Sequence, residues 1–171
     1  MEGDERIAMK RLSALVICLF LVIVGYRFAW ADEAANLALI KKFYEAYATG
    51  DANKVAAFLS DDISWRIPGR HPLSGEKRGK AEVTVFFAEL AKAGFKAEPI
   101  FFGASEHYVV DIHRGWSNVQ GYPNADTIWA LVFRIEKGKI VEATNLSADQ
   151  HAADNFFWSF YKLGPIPNRL R

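Results

Sequence analysis

Apolar residues recur along this chain first with a helical period and then, from residue 95 onward, mostly with the two-residue period of strands. Leu37, Ile40, Phe43, Tyr44 and Tyr47 fall on one helix face, and Gly50 supplies the stop. Asp51 offers an N-cap for a second, short helix that buries Val55, Phe58 and Leu59 and is closed by Asp61-Asp62. Ile63, Trp65 and Ile67 alternate with Ser64 and Arg66 as a half-buried strand. The stretch 68–79 is punctuated by Gly and Pro and reads as a loop. Val83, Phe86, Phe87 and Leu90 then mark a third helix ending at Gly94.

Phe95 to Phe102 reads as a strand in which Pro99 predicts an edge or a bulge. Tyr108, Val110, Ile112 and Trp116 alternate with His107, Val109, Asp111 and His113. After a turn at Gly121-Tyr122-Pro123-Asn124, the next apolar face is Thr127, Trp129, Leu131, Phe133 and Ile135. Lys137-Gly138 makes a tight hairpin into 139–146. Ala153, Phe156, Phe157 and Phe160 return to helical spacing. Helices followed by consecutive strands on short turns predict an α+β fold, with helices packed on one face of an antiparallel sheet. A doubly wound parallel arrangement is excluded. The aromatic residues surrounding the last helix predict burial on more than one side, as a lid, against a partner subunit, or against its own sheet.

The first 31 residues read as an address. Met9-Lys10-Arg11 precedes an apolar run from Leu12 to Tyr26, shorter than the roughly 20 residues a bilayer span needs, and Ala29-Trp30-Ala31 has the small-x-small pattern of a cleavage site. Cleavage after Ala31 and export to the periplasm or outside the cell are expected. The alternative is an uncleaved membrane anchor over residues 12–26. The remaining chain divides into a domain at 32–148 and a C-terminal helix and tail at 149–171.

Composition narrows the function classes. The chain has 171 residues, 51% hydrophobic and 24% charged, which suits one globular domain. The formal net charge is +1, and removing residues 1–31 leaves 17 bases and 17 acids, so the footprint of a nucleic-acid binder is missing. Cys18, the only cysteine, lies in the leader, which excludes disulfides, thiol catalysis and cysteine–zinc sites from the exported chain. No glycine-rich phosphate loop follows a strand, so no nucleotide or flavin is implied, and no cofactor is expected.

Several segments together carry a resemblance: Phe43-Tyr44-x-x-Tyr47-x-x-Gly50-Asp51, Phe58-Leu59-Ser60-Asp61-Asp62, Pro72-Leu73-Ser74-Gly75 with Arg78-Gly79, and the run Phe133 to Val141. In this order and spacing, over about Leu37 to Leu146, the chain resembles the nuclear transport factor 2-like superfamily, in its SnoaL-like and ketosteroid-isomerase-like branch. The resemblance implies a cone, a strongly curved sheet wrapped around helices with a pocket at the wide end. It also implies positions to check. Where the isomerases carry a carboxylate base and two oxyanion donors, this chain has Ile67, Phe43 and Leu131, so that chemistry is absent. SnoaL-like cyclases keep an acid on or just after the last strand, where Asn145 and Asp149 are nearest.

If Ile63, Trp65 and Ile67 face inward, strand alternation is expected to bring Tyr108, Val110, Ile112, Arg114 and Trp116 with them, along with Trp129, Leu131, Phe133, Ala143, Asn145 and Ser147. Ligand-binding candidates are then Tyr47, Trp65, Arg114, Trp116, Trp129 and Asn145 around a small hydrophobic molecule, neutral or singly anionic, with Arg114 reading the anion. Each has a structural alternative. The alternatives are Trp65 and Trp129 packed as core, the Tyr47 hydroxyl bonded to backbone, Arg114 paired with an acid at the rim, and Asn145 capping the following helix. Acid–base candidates are Asp149 and His71, against an N-cap role for Asp149 and a solvent position for His71. His107, Asp111 and His113 share a face, but residues two and four apart on one strand have Cα atoms about 7 Å and 13 Å apart, too spread for one metal. They are assigned to solvent or to a homodimer interface on the outer sheet face. Two function classes remain: a binding protein without chemistry, favoured here, and an acid–base enzyme acting on a hydrophobic carbonyl or epoxide.

Overall fold

The computed structural model describes residues 32–161. The leader assigned to residues 1–31, with Cys18, lies outside the described residues, as does the tail from 162. Residues 32–48 form helix α1, followed by α2 (Ala52–Ala56), β1 (Leu59–Ile67), β2 (Gly75–Arg78), α3 (Gly79–Lys92), β3 (Lys96–Ala104), β4 (Tyr108–Ser117), β5 (Ala125–Glu136), β6 (Lys139–Ser147) and α4 (Gln150–Phe160). The six strands make one curved, unclosed sheet in the order β2-β1-β6-β5-β4-β3, the α+β architecture that the patterning predicts. All neighbours run antiparallel except β1 and β6, which pair in parallel where the first strand meets the last.

Local chemistry explains most boundaries. Asp51 caps α2 by accepting from the Asn53 N–H at 2.9 Å. The β5–β6 hairpin turns on Lys137 and Gly138, both with positive φ, the conformation of a two-residue primed turn. Pro99 sits on the edge strand β3, where the register against β4 shifts by a bulge. Two expectations need correction. Helix α2 stops at Ala56 and Leu59 begins β1, because α2 is a single turn with only Val55 buried. Residues 75–78 are not loop but a short edge strand, β2, against Ser64–Ile67.

The concave side of the sheet holds the helices and an aromatic core. Phe43 of α1 is buried against the rings of Trp65, Phe87 and Phe133, joining α1, β1, α3 and β5. Ile63, Trp65 and Ile67 face inward as expected, as do Trp129, Leu131, Phe133 and Ala143.

On β4 the faces are the reverse of those expected. Val109, Asp111, His113, Gly115 and Ser117 are buried, while Tyr108, Val110 and Arg114 are exposed and Ile112 and Trp116 half-buried. The outer face is itself apolar, with Ile128 and Leu146 exposed as well as Val110, so hydrophobicity could not mark the inside of this strand. Cross-strand register decides it: Asp111 lies opposite Leu131 and His113 opposite Trp129, and directly opposed residues share a face. Gly115 lies opposite Thr127 under the Trp129 indole, where a Cβ would come within 2.5 Å of the ring.

Candidate functional site

The concave side of the sheet and the helices form a partly open cavity of about 50 Å³. Its walls come from every layer: Phe43, Tyr44 and Tyr47 of α1, Trp65 and Ile67 of β1, Phe86, Phe87 and Leu90 of α3, and Trp129, Leu131 and Asn145 of β5 and β6. Phe95, Ala97 of β3, His113 of β4, Phe157 of α4 and His71 of the β1–β2 loop complete it. Apolar walls with a few inward polar groups are the usual composition of a small-molecule site. Lys and Arg contribute nothing to the lining.

One polar cluster sits on the wall built by α1 and β4. Asp111, fully buried, accepts from the Leu131 backbone N–H at 2.9 Å, and the Tyr44 hydroxyl donates to its other oxygen. The Nδ1 of His113 lies 3.2 Å from Asp111 Oδ1 and 3.3 Å from the Tyr44 hydroxyl. Because Asp111 is the acceptor in this network, a ring proton is assigned to Nδ1, which leaves Nε2 as the nitrogen outside the network. A carboxylate that fixes the tautomer of a neighbouring imidazole is a recurrent acid–base device.

A second polar position is His71. Its loop is tied by the Ser74 N–H and hydroxyl donating to the His71 carbonyl, at 2.9 and 2.7 Å. The Leu73 N–H donates to His71 Nδ1 at 3.2 Å, and the ring stacks on Phe157 at 4.5 Å. Burial pushes its titration down to about 4, against partial opposition from Asp154 of α4 and the Pro68 carbonyl, with Lys77 of β2 pushing the same way as burial. His71 is therefore neutral at ordinary pH. The unfolded chain binds this proton at pH values where the folded chain does not. The stabilising contribution of the neutral ring is thus complete above about pH 6.5 and lost as pH falls toward 4. The interval corresponds to roughly 3 kcal/mol, which solvent at the mouth reduces to about 2 kcal/mol. Denaturant titrations at pH 7 and pH 4 should show His71→Phe losing less stability on acidification than the parent, by about that amount. An equal loss would refute it.

The remaining residues singled out in the sequence take several positions. The Tyr47 hydroxyl donates to the Phe95 carbonyl at 3.1 Å, and burial pushes its titration far up. Trp65 Nε1 donates to Asn145 Oδ1 at 2.6 Å, so these two polar groups of the lining meet each other. Trp129 lines the cavity with its indole N–H lacking a protein partner. Arg114 and Trp116 do not reach the cavity. Arg114 holds Asp126 through two hydrogen bonds at 2.7 and 2.6 Å and lies over the Trp116 ring on the outer face. The anion-reading role expected of Arg114 is thereby removed. Asp149 caps α4, accepting from the Ala152 N–H at 2.9 Å, and does not line the cavity.

Asp111, His113 and Tyr44 went unassigned as site residues in the sequence. The signal that marks Asp111 and His113 is two polar residues two apart at one parity of the strand, together with a loop length that aligns them with Leu131 and Trp129.

Comparison with known proteins agrees with this geometry. The model of the SnoaL-like domain family matches residues 40–143. An uncharacterized protein of Mycobacterium tuberculosis H37Rv is 23% identical over 129 residues, 73% of this chain and 98% of the relative. Among solved structures, a Xanthomonas campestris protein of unknown function with a cystatin-like fold superposes with TM-score 0.65 at 29% identity, covering 71% of this chain and 96% of that one. TerC co-crystallized with polyporic acid gives 0.64 at 19% identity, covering 72% and 98%. An epoxide hydrolase of LEH-like type from M. tuberculosis gives 0.59 at 18%, covering 74% and 90%. The last two share the fold alone.

Proposed function

The chain belongs to the SnoaL-like domain family, and from that premise we propose that its cavity is an acid–base site for a small, largely apolar molecule. One observation carries the reading: behind the cavity-lining His113, a fully buried carboxylate, Asp111, holds that ring in one tautomer and is itself satisfied by the Leu131 N–H and Tyr44 hydroxyl. In this role His113 Nε2 takes a proton from a C–H next to a carbonyl, the resulting imidazolium is stabilised by Asp111, and the same nitrogen returns the proton to the product. Positioned acid–base groups of this kind contribute about 10²–10⁴-fold to rate. That the fold serves TerC and an epoxide hydrolase supports a small-molecule pocket and does not choose the reaction.

The reading replaces the two acid–base residues first considered. Asp149 is engaged as a cap, and His71 is a neutral group whose Nδ1 is already an acceptor. The test uses 2-indanone, a neutral ring-sized ketone, in D₂O. The protein should accelerate deuterium exchange at the α-carbons above the buffer rate. His113→Asn should remove at least 100-fold of that acceleration with the fold intact by circular dichroism. Exchange at the buffer rate in the parent protein, with 2-indanone bound, would make the pocket a binding site without chemistry.

A further inference from the structure

Two polar atoms of the cavity lining have no hydrogen bond of good geometry among the described residues. His71 and Trp129 are each only 4% exposed, and both line the cavity. Neither the Nε2 of His71 nor the Nε1 of Trp129 makes a hydrogen bond of good geometry among the described residues, and the Pro68 carbonyl is the one backbone acceptor felt by the His71 ring. Both are donors. Indole Nε1 can only donate. For His71, the Leu73 N–H occupies Nδ1 as an acceptor, which places the ring proton on Nε2. A buried donor left unpaired costs free energy that a ligand acceptor recovers.

The two rings are held in place by their surroundings. Trp129 lies against Gly115, where any side chain would collide with the indole, and Phe95 packs edge-on to it at 5.9 Å. Phe95 also contacts Phe157 at 5.6 Å, and Phe157 stacks on His71, so one aromatic chain connects the two donors around the cavity. The other polar groups nearby are engaged: Tyr47 with the Phe95 carbonyl, Trp65 with Asn145.

Charge sets the class of ligand. His71 is a donor without positive charge, the lining holds no Lys or Arg, and the acidic side chain that faces His113 is Asp111. An anion placed here would meet no cation in the lining, with Lys77 acting only from outside it and the Asp111 carboxylate lying behind His113, whereas a carbonyl oxygen asks only for donors. We propose that His71 and Trp129 form a donor pair that receives an acceptor oxygen of an uncharged, ring-sized carbonyl compound, fixing that molecule's orientation in the cavity. The proposal rests on the reading of the cavity as the ligand's site and does not require His113 to move a proton.

Three probes of one shape test it: 2-indanone, indane, which lacks the oxygen, and indane-2-carboxylate, which carries a charge. Affinities and the indole N–H resonance of Trp129, assigned with Trp129→Phe, are read by NMR. We expect 2-indanone to bind at least tenfold tighter than either other probe and to shift the Trp129 indole proton downfield at saturation. Trp129→Phe and His71→Phe should each remove most of the preference over indane while leaving indane affinity within about twofold. Indane binding as tightly as 2-indanone, tighter binding of the carboxylate, no binding of 2-indanone, or an unmoved indole resonance would each overturn the proposal. The two readings fail separately. If 2-indanone binds as stated but its α-protons exchange at the buffer rate, the acid–base role of His113 is refuted alone. If Trp129→Phe and His71→Phe keep parental affinity and exchange rate, the donor pair is refuted alone.

Discussion

Replacing Asp111 with Ala should lower stability by about 4 kcal/mol, read as a fall in the urea midpoint without a change in slope. Two effects oppose each other at this residue. Burying a carboxylate costs several kcal/mol of desolvation, so removing it could be neutral or favourable. Against that stand three donors already in place around it: the Leu131 N–H, the Tyr44 hydroxyl and the His113 ring. Once these are buried, taking away the shared acceptor leaves each unpaired, at about 1–3 kcal/mol apiece. The second effect wins because the donors belong to three different elements, α1, β4 and β5, which cannot all turn to new partners. Asp111→Asn should cost about half as much, since its oxygen still accepts while its NH₂ faces a donor, and it should lose ketone exchange as His113→Asn does. If Asp111→Ala proves as stable as the parent, the carboxylate is held against the interest of stability, and only its chemistry explains its place.

The same cluster shows where sequence reading succeeds on this chain and where it stops. Periodicity places α1, α3, α4 and the last three strands because each has an apolar face, and Asp51, Asp149 and Lys137-Gly138 mark boundaries through their own capping and turn chemistry. Inward Trp65, Trp129 and Leu131 follow from the same rule. It gives the wrong face on β4, where Tyr108, Val110 and Ile112 lie on the convex side and the more polar Asp111 and His113 turn inward. A strand with apolar residues at both parities has no internal marker of face; the register against β5 supplies it, and that register is set by the loop at 118–124. Arg114 illustrates the same slip, moving from an expected anion site to an outer pair with Asp126. His71 was legible only as a loop residue near the mouth. What buries it is Phe157, nearly ninety positions along the chain, a contact no local pattern records.

Phe156→Ala should cost about 4 kcal/mol in global stability, within the usual range for deleting a buried phenyl ring. The residue is fully buried in α4, packed on Phe95, Phe157 and Phe160. The cost distinguishes the readings that the aromatic helix allowed. A lid that opens to admit ligand detaches at a small fraction of the global unfolding free energy, so its core-facing ring would matter to ligand kinetics and little to the urea midpoint. Helix α4 is instead fastened to its own chain along its length. Asp149 caps it, Asp154 accepts from the Arg70 N–H, Trp158 donates to the Arg70 carbonyl, and just past its end the Tyr161 hydroxyl donates to the Glu89 carbonyl of α3. Those ties put the cavity wall formed by Phe157 and His71 in the same cooperative unit as the sheet. Amide hydrogen exchange of 153–158 should therefore be as slow as that of β5, and a ligand would enter past the 68–74 loop without α4 leaving. Fast exchange in α4 with a parental midpoint in Phe156→Ala would make it a lid after all.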